Sequence, residues 1–233
     1  MTDRPLGPAG RQPRPIVLSW SGGKDSALAL RALRADPSFQ VSALLTTVTA
    51  GYDRISMHGV RRTLLEEQAA ALGIPLHVVE IEPAGANDTY ETRMTAALAR
   101  LREMGADAVA FGDLYLADVR AYRESMMVRV GMSALFPIWG HDTAATARDF
   151  IDTGFRAITT CVDTEQIPAG FAGEWYDHDF LARLPAGADP CGENGEFHTF
   201  VVDGPGFTRP VTVHAGERVL RDHRFQYCDL LPG

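Results

Sequence analysis

Two kinds of hydrophobic run alternate along the first half of the chain. Short continuous apolar stretches, Ile16-Val17-Leu18-Ser19-Trp20 and then 41–48, 76–81 and 108–111, have strand length and are bounded by glycine, proline or charged residues. Between them lie longer segments with an apolar residue at every third or fourth position. Over 58–72 the stripe is Val60, Leu64, Leu65, Ala69 and Leu72, closed by Gly73. Tyr90, Met94, Leu98 and Leu101 form another, closed by Gly105. Four strand–helix units with short connections predict an α/β fold with a doubly wound, mostly parallel, Rossmann-like sheet. Ligands on such sheets collect at the C-terminal ends of the strands. The segments 21–26, 51–58 and 112–113 should therefore meet at one rim.

The pattern changes near residue 130. A helix over 119–129, the segment Leu135-Phe136-Pro137-Ile138-Trp139, a helix over 142–152 and a strand over 157–162 come first. A loop-rich stretch over 170–190 follows, carrying Phe171, Trp175, Tyr176 and Phe180. Strands are expected over 197–202, 210–214 and 224–230, antiparallel because their connections are too short to hold a helix. The chain thus divides into a disordered tail over 1–15, an α/β domain over 16–130, and a smaller α+β subdomain over 131–233 that caps it.

Ser21-Gly22-Gly23-Lys24-Asp25-Ser26 sits where the first strand turns into the first helix. Glycines there take positive φ and bring backbone N–H groups close to an anion. The helix start adds unpaired N–H groups and the positive end of its dipole, so a polyphosphate fits, with Ser21, Lys24 and Ser26 as further donors. Of 22 Lys plus Arg in the chain, Lys24 is the only lysine, which singles out a compact ammonium at this place. The spacing matches neither a Walker A loop nor a dinucleotide-binding G-x-G-x-x-G. The competing reading, a glycine turn with no ligand, does not account for the coincidence of strand, glycines, lysine and helix.

Composition narrows the function classes. A net charge of −8 argues against a general nucleic-acid binder. No apolar stretch approaches the roughly 20 residues that span a bilayer. Cys161, Cys191 and Cys228 are far apart and form no C-x-x-C, as expected of unpaired thiols in a cytoplasmic protein.

A second dense polar stretch is Asp189-Pro190-Cys191-Gly192-Glu193-Asn194-Gly195-Glu196-Phe197-His198-Thr199-Phe200. If the chain is extended from Phe197, Glu196 and His198 share a face and form a candidate acid–base pair; a polar surface turn is the alternative. In the third stretch, residues 112–124, Asp113 ends a strand and suits Mg²⁺, with Asp25 as the other candidate. Arg120 and Arg123, one turn apart, can grip phosphate or carboxylate, or form a solvated ion-pair face with Asp118 and Glu124.

With these residues in hand, the chain resembles the diphthine–ammonia ligase family of PP-loop ATP pyrophosphatases over about residues 16–210. Residues 21–26 match a loop shared by the wider superfamily, whereas D-P-C-G-E-N-G-E-F-H-T-F over 189–200 is far more specific. Met57-His58-Gly59, Gly112-Asp113, the segment 120–124, Phe136-Pro137-Ile138-Trp139 and Gly204-Pro205 also fall in the family's order. The resemblance implies ATP and Mg²⁺ as cofactors. It implies nucleotide binding by residues 21–26, His58 and Gly112, and substrate binding by Arg120, Arg123, Glu124, Trp139, Glu193 and Asn194. Lys24, Glu196 and His198 would be catalytic.

The reaction it implies is adenylation of a carboxylate and its amidation by ammonia, with AMP and pyrophosphate released. The acceptor would be carried on a protein such as a translation elongation factor, and Trp139, Trp175, Tyr176 and Phe197 would face its trimethylammonium group. Richness in Ala, Gly and Arg suggests a GC-rich bacterial genome, so the family name describes the chemistry and leaves the acceptor open. Glu174 stands where similar chains carry arginine, and Met126-Met127 where many carry cysteine. Two other classes remain, an RNA-modifying ATP pyrophosphatase and a non-catalytic ATP sensor; a homo-oligomer is compatible with any of them.

Overall fold

Ile16, Val17 and Leu18 are each 0% exposed, which requires protein on both faces of their strand. The computed structural model of the chain, which describes residues 12–51, 54–55, 59–82 and 87–233, supplies both layers. Strand β1 (Arg14–Ser19) runs between β2 (Phe39–Thr49) and β5 (Ala108–Ala110), parallel to both. A parallel strand β4 (Leu76–Ile81) lies beyond β2, and β6 (Ser133–Leu135) lies beyond β5. Two residues, β3 (Arg54–Ile55), add to the end of β2 in the antiparallel sense.

Alternate side chains of each strand enter opposite layers. Ile16, Leu18, Leu44, Ala108 and Ala110 pack with α1 (Lys24–Ala35) and α2 (Arg62–Leu72). Val17, Ala43, Leu45 and Val109 pack with Met94 and Leu98 of α3 (Asn87–Glu103) and with Met126 and Met127 of α4 (Ala117–Arg129). This is the expected doubly wound arrangement.

The second half forms an antiparallel sheet of order β8-β7-β10-β9, from β7 (Arg156–Asp163), β8 (Phe197–Asp203), β9 (Val213–Arg221) and β10 (Phe225–Pro232). Two helices, α5 (Thr143–Asp152) and α6 (His178–Arg183), pack with it. Phe150, Phe180, Phe197 and Phe200 share one buried cluster with Ile16 and Leu18, so the core is continuous across the halves. The Val201 N–H donates to the Gly22 carbonyl at 2.9 Å, fixing β8 against the turn after β1.

Several boundaries differ from the sequence expectation. The expected tail lies outside the described residues as far as residue 11, but Arg14 already belongs to β1. Its N–H bonds the Ser38 carbonyl, and its guanidinium bonds Asp107 at 2.6 Å. The first sheet extends past residue 130, because β6 pairs with β5. The strand expected over 210–214 is β9, displaced to Val213–Arg221; its largely exposed residues give no clear alternation to read. Helix α6 lies inside the stretch taken as loop, capped by the Asp177 carboxylate accepting from the Phe180 N–H at 2.9 Å.

Candidate active site

Two glycines with different tasks shape the turn from β1 into α1. Gly22 has φ +77°, and a Cβ there would lie 2.7 Å from both Gln68 Oε1 and Leu65 Cδ2. Gln68 is fully buried on α2 and braces this turn. Its amide donates to the Gly22 carbonyl at 3.0 Å and to the Val201 carbonyl, while its oxygen accepts from the Trp20 indole at 2.9 Å. Gly23 is the extended residue ahead of α1, and a Cβ on it would approach the Thr199 carbonyl to 3.0 Å. The Lys24 N–H donates to the Thr199 hydroxyl at 3.1 Å, and the Ser26 hydroxyl donates to the Gly23 carbonyl at 2.8 Å. The second half therefore reaches into the first turn of α1.

Lys24 is 3% exposed. Its ammonium donates to Asp25 Oδ2 at 2.9 Å and lies 5.5 Å from the centre of the Phe197 ring. Burial opposes its charge, but Asp25 and the acidic groups of Cys191 and Glu193 outweigh that and raise its pKa. Burial raises the Asp25 carboxyl, against the pull of Lys24, and Asp113 adds to the rise. The Asp25 side chain is still 32% exposed, so solvent screens part of this effect. Asp25 Oδ1 is itself buried without a hydrogen-bond partner. Gly112 closes this side: a Cβ on it would sit 2.8 Å from the Asp25 carbonyl. Asp113 accepts from the Arg123 guanidinium at 3.2 Å, and Arg123 stacks 4.7 Å from the Phe111 ring.

Together these groups line a cavity of about 270 Å³ whose opposite wall is Gly192, Glu193, Gly195 and Phe197 to Thr199. A second chamber of about 260 Å³ adjoins it through Ser19, Ser21, Phe111, Arg123 and His198. That chamber is mixed, with apolar walls from Trp20, Leu45, Ile55 and Met94 and polar ones from Thr46 and Thr47. His198 faces both, and burial pushes its pKa down to about 4, with the Lys24 charge adding to the fall. It is a neutral imidazole at pH 7.

The 189–200 segment separates into ligand-facing and self-bracing residues. Glu193 lines the cavity while its Oε1 accepts from the Leu114 N–H at 2.8 Å and the Tyr115 N–H at 3.3 Å, tying this loop to the turn after β5. Burial raises its carboxyl pKa despite those bonds. Glu196 is 1% exposed and does not line the cavity. Its oxygens accept from Asp189 N at 2.8 Å, Asn194 N at 3.0 Å and Asn194 Nδ2 at 3.0 Å. Asn194 also accepts from the Tyr115 hydroxyl at 2.9 Å.

Of the site residues expected from sequence, Ser21, Gly23, Lys24, Asp25, Ser26, Gly112, Asp113, Arg123, Glu193 and His198 meet at this cavity. Gly22 shapes its turn from behind. His58 lies outside the described residues. Arg120, Glu124 and Trp139 form a separate outer cluster: Arg120 bonds Glu124 at 2.8 Å and lies against both the Trp139 and Phe136 rings, at 4.7 and 4.8 Å from their centres. The expected aromatic surface does not assemble. Tyr176 and Phe197 are core residues, and Trp175 carries Arg156 on its face at 4.6 Å. The charge of Glu174 is answered locally by Arg183. Cys161, Cys191 and Cys228 are unpaired and buried.

Gln68 and Thr199 were not singled out from sequence. Gln68 interrupts the buried stripe of α2 beside Ala69, which marks a polar group with a buried task.

The arrangement defines a Rossmann-like α/β protein with a glycine turn after its central strand, closed by an antiparallel second half. Family models sharpen the class. The diphthamide synthase N-terminal domain matches residues 14–134 and the C-terminal domain matches residues 142–230, so the chain belongs to the diphthamide synthase family. It is 29% identical over 223 residues to a diphthine–ammonia ligase of Danio rerio, covering 86% of each chain.

Proposed function

We propose that this protein is an ATP-dependent, AMP-forming ligase that adenylates a carboxylate and amidates it with ammonia. The observation that carries the reading is the shared cavity. A buried lysine and a glycine turn at a helix start suit a polyphosphate, and the family's second-half loop supplies a carboxylate and a neutral imidazole within reach of it. The adjoining chamber, part apolar and part hydroxyl-lined, suits the base and sugar of a nucleoside, so ATP can lie across both with its α-phosphorus near their junction at His198.

An acceptor carboxylate oxygen attacks the α-phosphorus in line, and the bond from that phosphorus to the bridging oxygen of the β-phosphate breaks. Lys24 and the turn's N–H groups stabilise the negative charge gathering on departing pyrophosphate. Ammonia then attacks the acyl carbon of the adenylate, the carbon–oxygen bond to AMP breaks, and one proton leaves the nitrogen. Glu196 was the expected acceptor of that proton. The geometry favours Glu193, which faces the cavity with a carboxyl poised toward higher pH, while Glu196 braces the loop that presents it. His198, uncharged, offers a hydrogen bond at the α-phosphate.

Among the described residues no three His, Cys, Asp or Glu side chains cluster as a metal site. Mg²⁺ needs few protein ligands when phosphates complete its shell. The partnerless Asp25 Oδ1 and neighbouring Asp113 fit that role, and a bound Mg²⁺ would neutralise phosphate charge.

Incubation with ATP, isotopically labelled ammonium and a panel of carboxylate acceptors tests the reading. Label incorporated as an amide, in step with AMP and dependent on Lys24, is expected. ATP retained intact with no acceptor amidated would favour a sensor instead.

A further inference from the structure

Away from the polyphosphate cavity, one buried charge cluster joins the last strand to the first sheet. Asp229 of β10 is 17% exposed and accepts from two arginines that flank the segment after β3. Arg54 bonds its Oδ1 at 2.6 Å, and Arg61 bonds its Oδ2 at 2.6 Å. Arg54 also donates to the Gly59 carbonyl at 2.7 Å. Gly59 in turn lies flat on β10: it has φ +66°, and a Cβ on it would sit 2.8 Å from the Tyr227 ring. The same carboxylate thus ties β3 and the residue ahead of α2 to β10, and its pKa falls to about 2; burial opposes the fall, but the bonds to Arg54 and Arg61 outweigh it.

Ile55 follows Arg54 and is 5% exposed. It is one of the apolar walls of the chamber that adjoins the polyphosphate cavity. On its other side lies a separate cavity of about 260 Å³, lined by Arg54, Gly59, Arg221, Tyr227 and Asp229. With space behind it, Ile55 is held by core packing, by the pairing of β3 with the end of β2, by backbone bonds with Val60 and Gly59 at 2.9 and 3.1 Å, and by the ion cluster on the neighbouring Arg54.

We propose that Asp229 is a positioning residue for the nucleoside half of ATP, acting through Arg54 and Arg61 to hold Ile55 against the chamber. The inference rests on the nucleotide reading above and deepens it: the C-terminal strand tunes affinity for the base and sugar without touching the phosphate turn. Removing the charge leaves two guanidiniums beside a neutral acceptor in a partly buried place, which loosens the tie between β3 and β10.

The test compares equilibrium binding of ATP and of inorganic tripolyphosphate to the wild type, Asp229→Asn and Arg61→Gln. Arg61 is the more exposed partner, so its replacement is the milder variant and guards against misfolding. Asp229→Asn should weaken ATP binding by about tenfold and Arg61→Gln by less. Tripolyphosphate, which engages only the turn at 21–26, should bind all three proteins equally. Turnover should show a raised KM for ATP with kcat retained. Unchanged ATP affinity in both variants overturns the proposal, as does an equal loss of ATP and tripolyphosphate, which would mean general loosening. A wild type that binds tripolyphosphate but not ATP would sink the nucleotide reading and this inference with it.

Discussion

The two glycine-containing turns that face each other across the cavity spend their polar groups in opposite ways. The turn at 21–26 braces itself from behind, through Gln68 and β8, and points Lys24, Asp25 and the start of α1 at the cavity. The segment at 189–196 spends most of its polar atoms on its own shape. Asp189 accepts from Cys191 N at 2.8 Å and Glu193 N at 3.3 Å, and Glu196 is taken up by Asp189 and Asn194. What it presents is a single carboxylate, Glu193. A dense polar motif therefore need not mean a dense set of cavity-facing groups: here most of it is scaffold for its one carboxylate that lines the cavity.

That contrast breaks most easily at Lys24. Lys24→Ala should cut ATP turnover by about 100-fold or more, the scale for losing one preorganised donor at developing charge. Stability should fall as well, because Asp25 loses its ion-pair partner; turnover retained despite that fall would assign Lys24 to structure.

Next come the two glutamates. Glu193→Gln should slow amide formation by roughly 100-fold while adenylate formation survives, as for loss of a general base. Glu196→Gln should lower both steps together and reduce stability, since a carboxylate accepting three hydrogen bonds becomes an amide that cannot accept them all. Rapid-quench measurement of AMP and amide separates the two, and the reverse pattern would return Glu196 to the acid–base role.

Gly22→Ala probes the bracing side. A Cβ at positive φ, pressed on Gln68 and Leu65, should cost about 1–3 kcal/mol in denaturant unfolding. A neutral effect would show that the turn tolerates another backbone path.

The smallest effect comes from an ion pair outside the cavity lining. Asp163 has its pKa lowered to about 2 by hydrogen bonding to Arg224, as Asp229 does through its arginines. A depressed carboxyl stabilises the fold above its unfolded pKa of about 3.9. That contribution should be lost as pH falls from about 4 through about 2. Urea midpoints across this window should fall for the wild type and fall less steeply for Asp163→Asn.

The sheet was legible because its central strands are continuous apolar runs between glycine-bounded helices, and β1, β2, β4 and β5 lie where those runs are. β9 was displaced because an exposed edge strand such as Val213–Arg221 has no buried face to print a pattern. At the site, Lys24 and the glycines stood out through local chemistry. Thr199 and Gln68 did not, because their partners are 175 and 46 residues away. Glu196 and Glu193 could not be ranked from sequence: both are carboxylates in one short loop, and only the direction each one faces separates them.

The central claim is that the cavity between the 21–26 turn and the 192–199 segment cleaves ATP between its α- and β-phosphates. It is tested most directly by following ATP labelled separately at the α- and γ-phosphates, with ammonium and carboxylate acceptors, in the wild type and Lys24→Ala. The account predicts α-label in AMP and γ-label in pyrophosphate, both lost in the variant. Label in ADP and inorganic phosphate would contradict it.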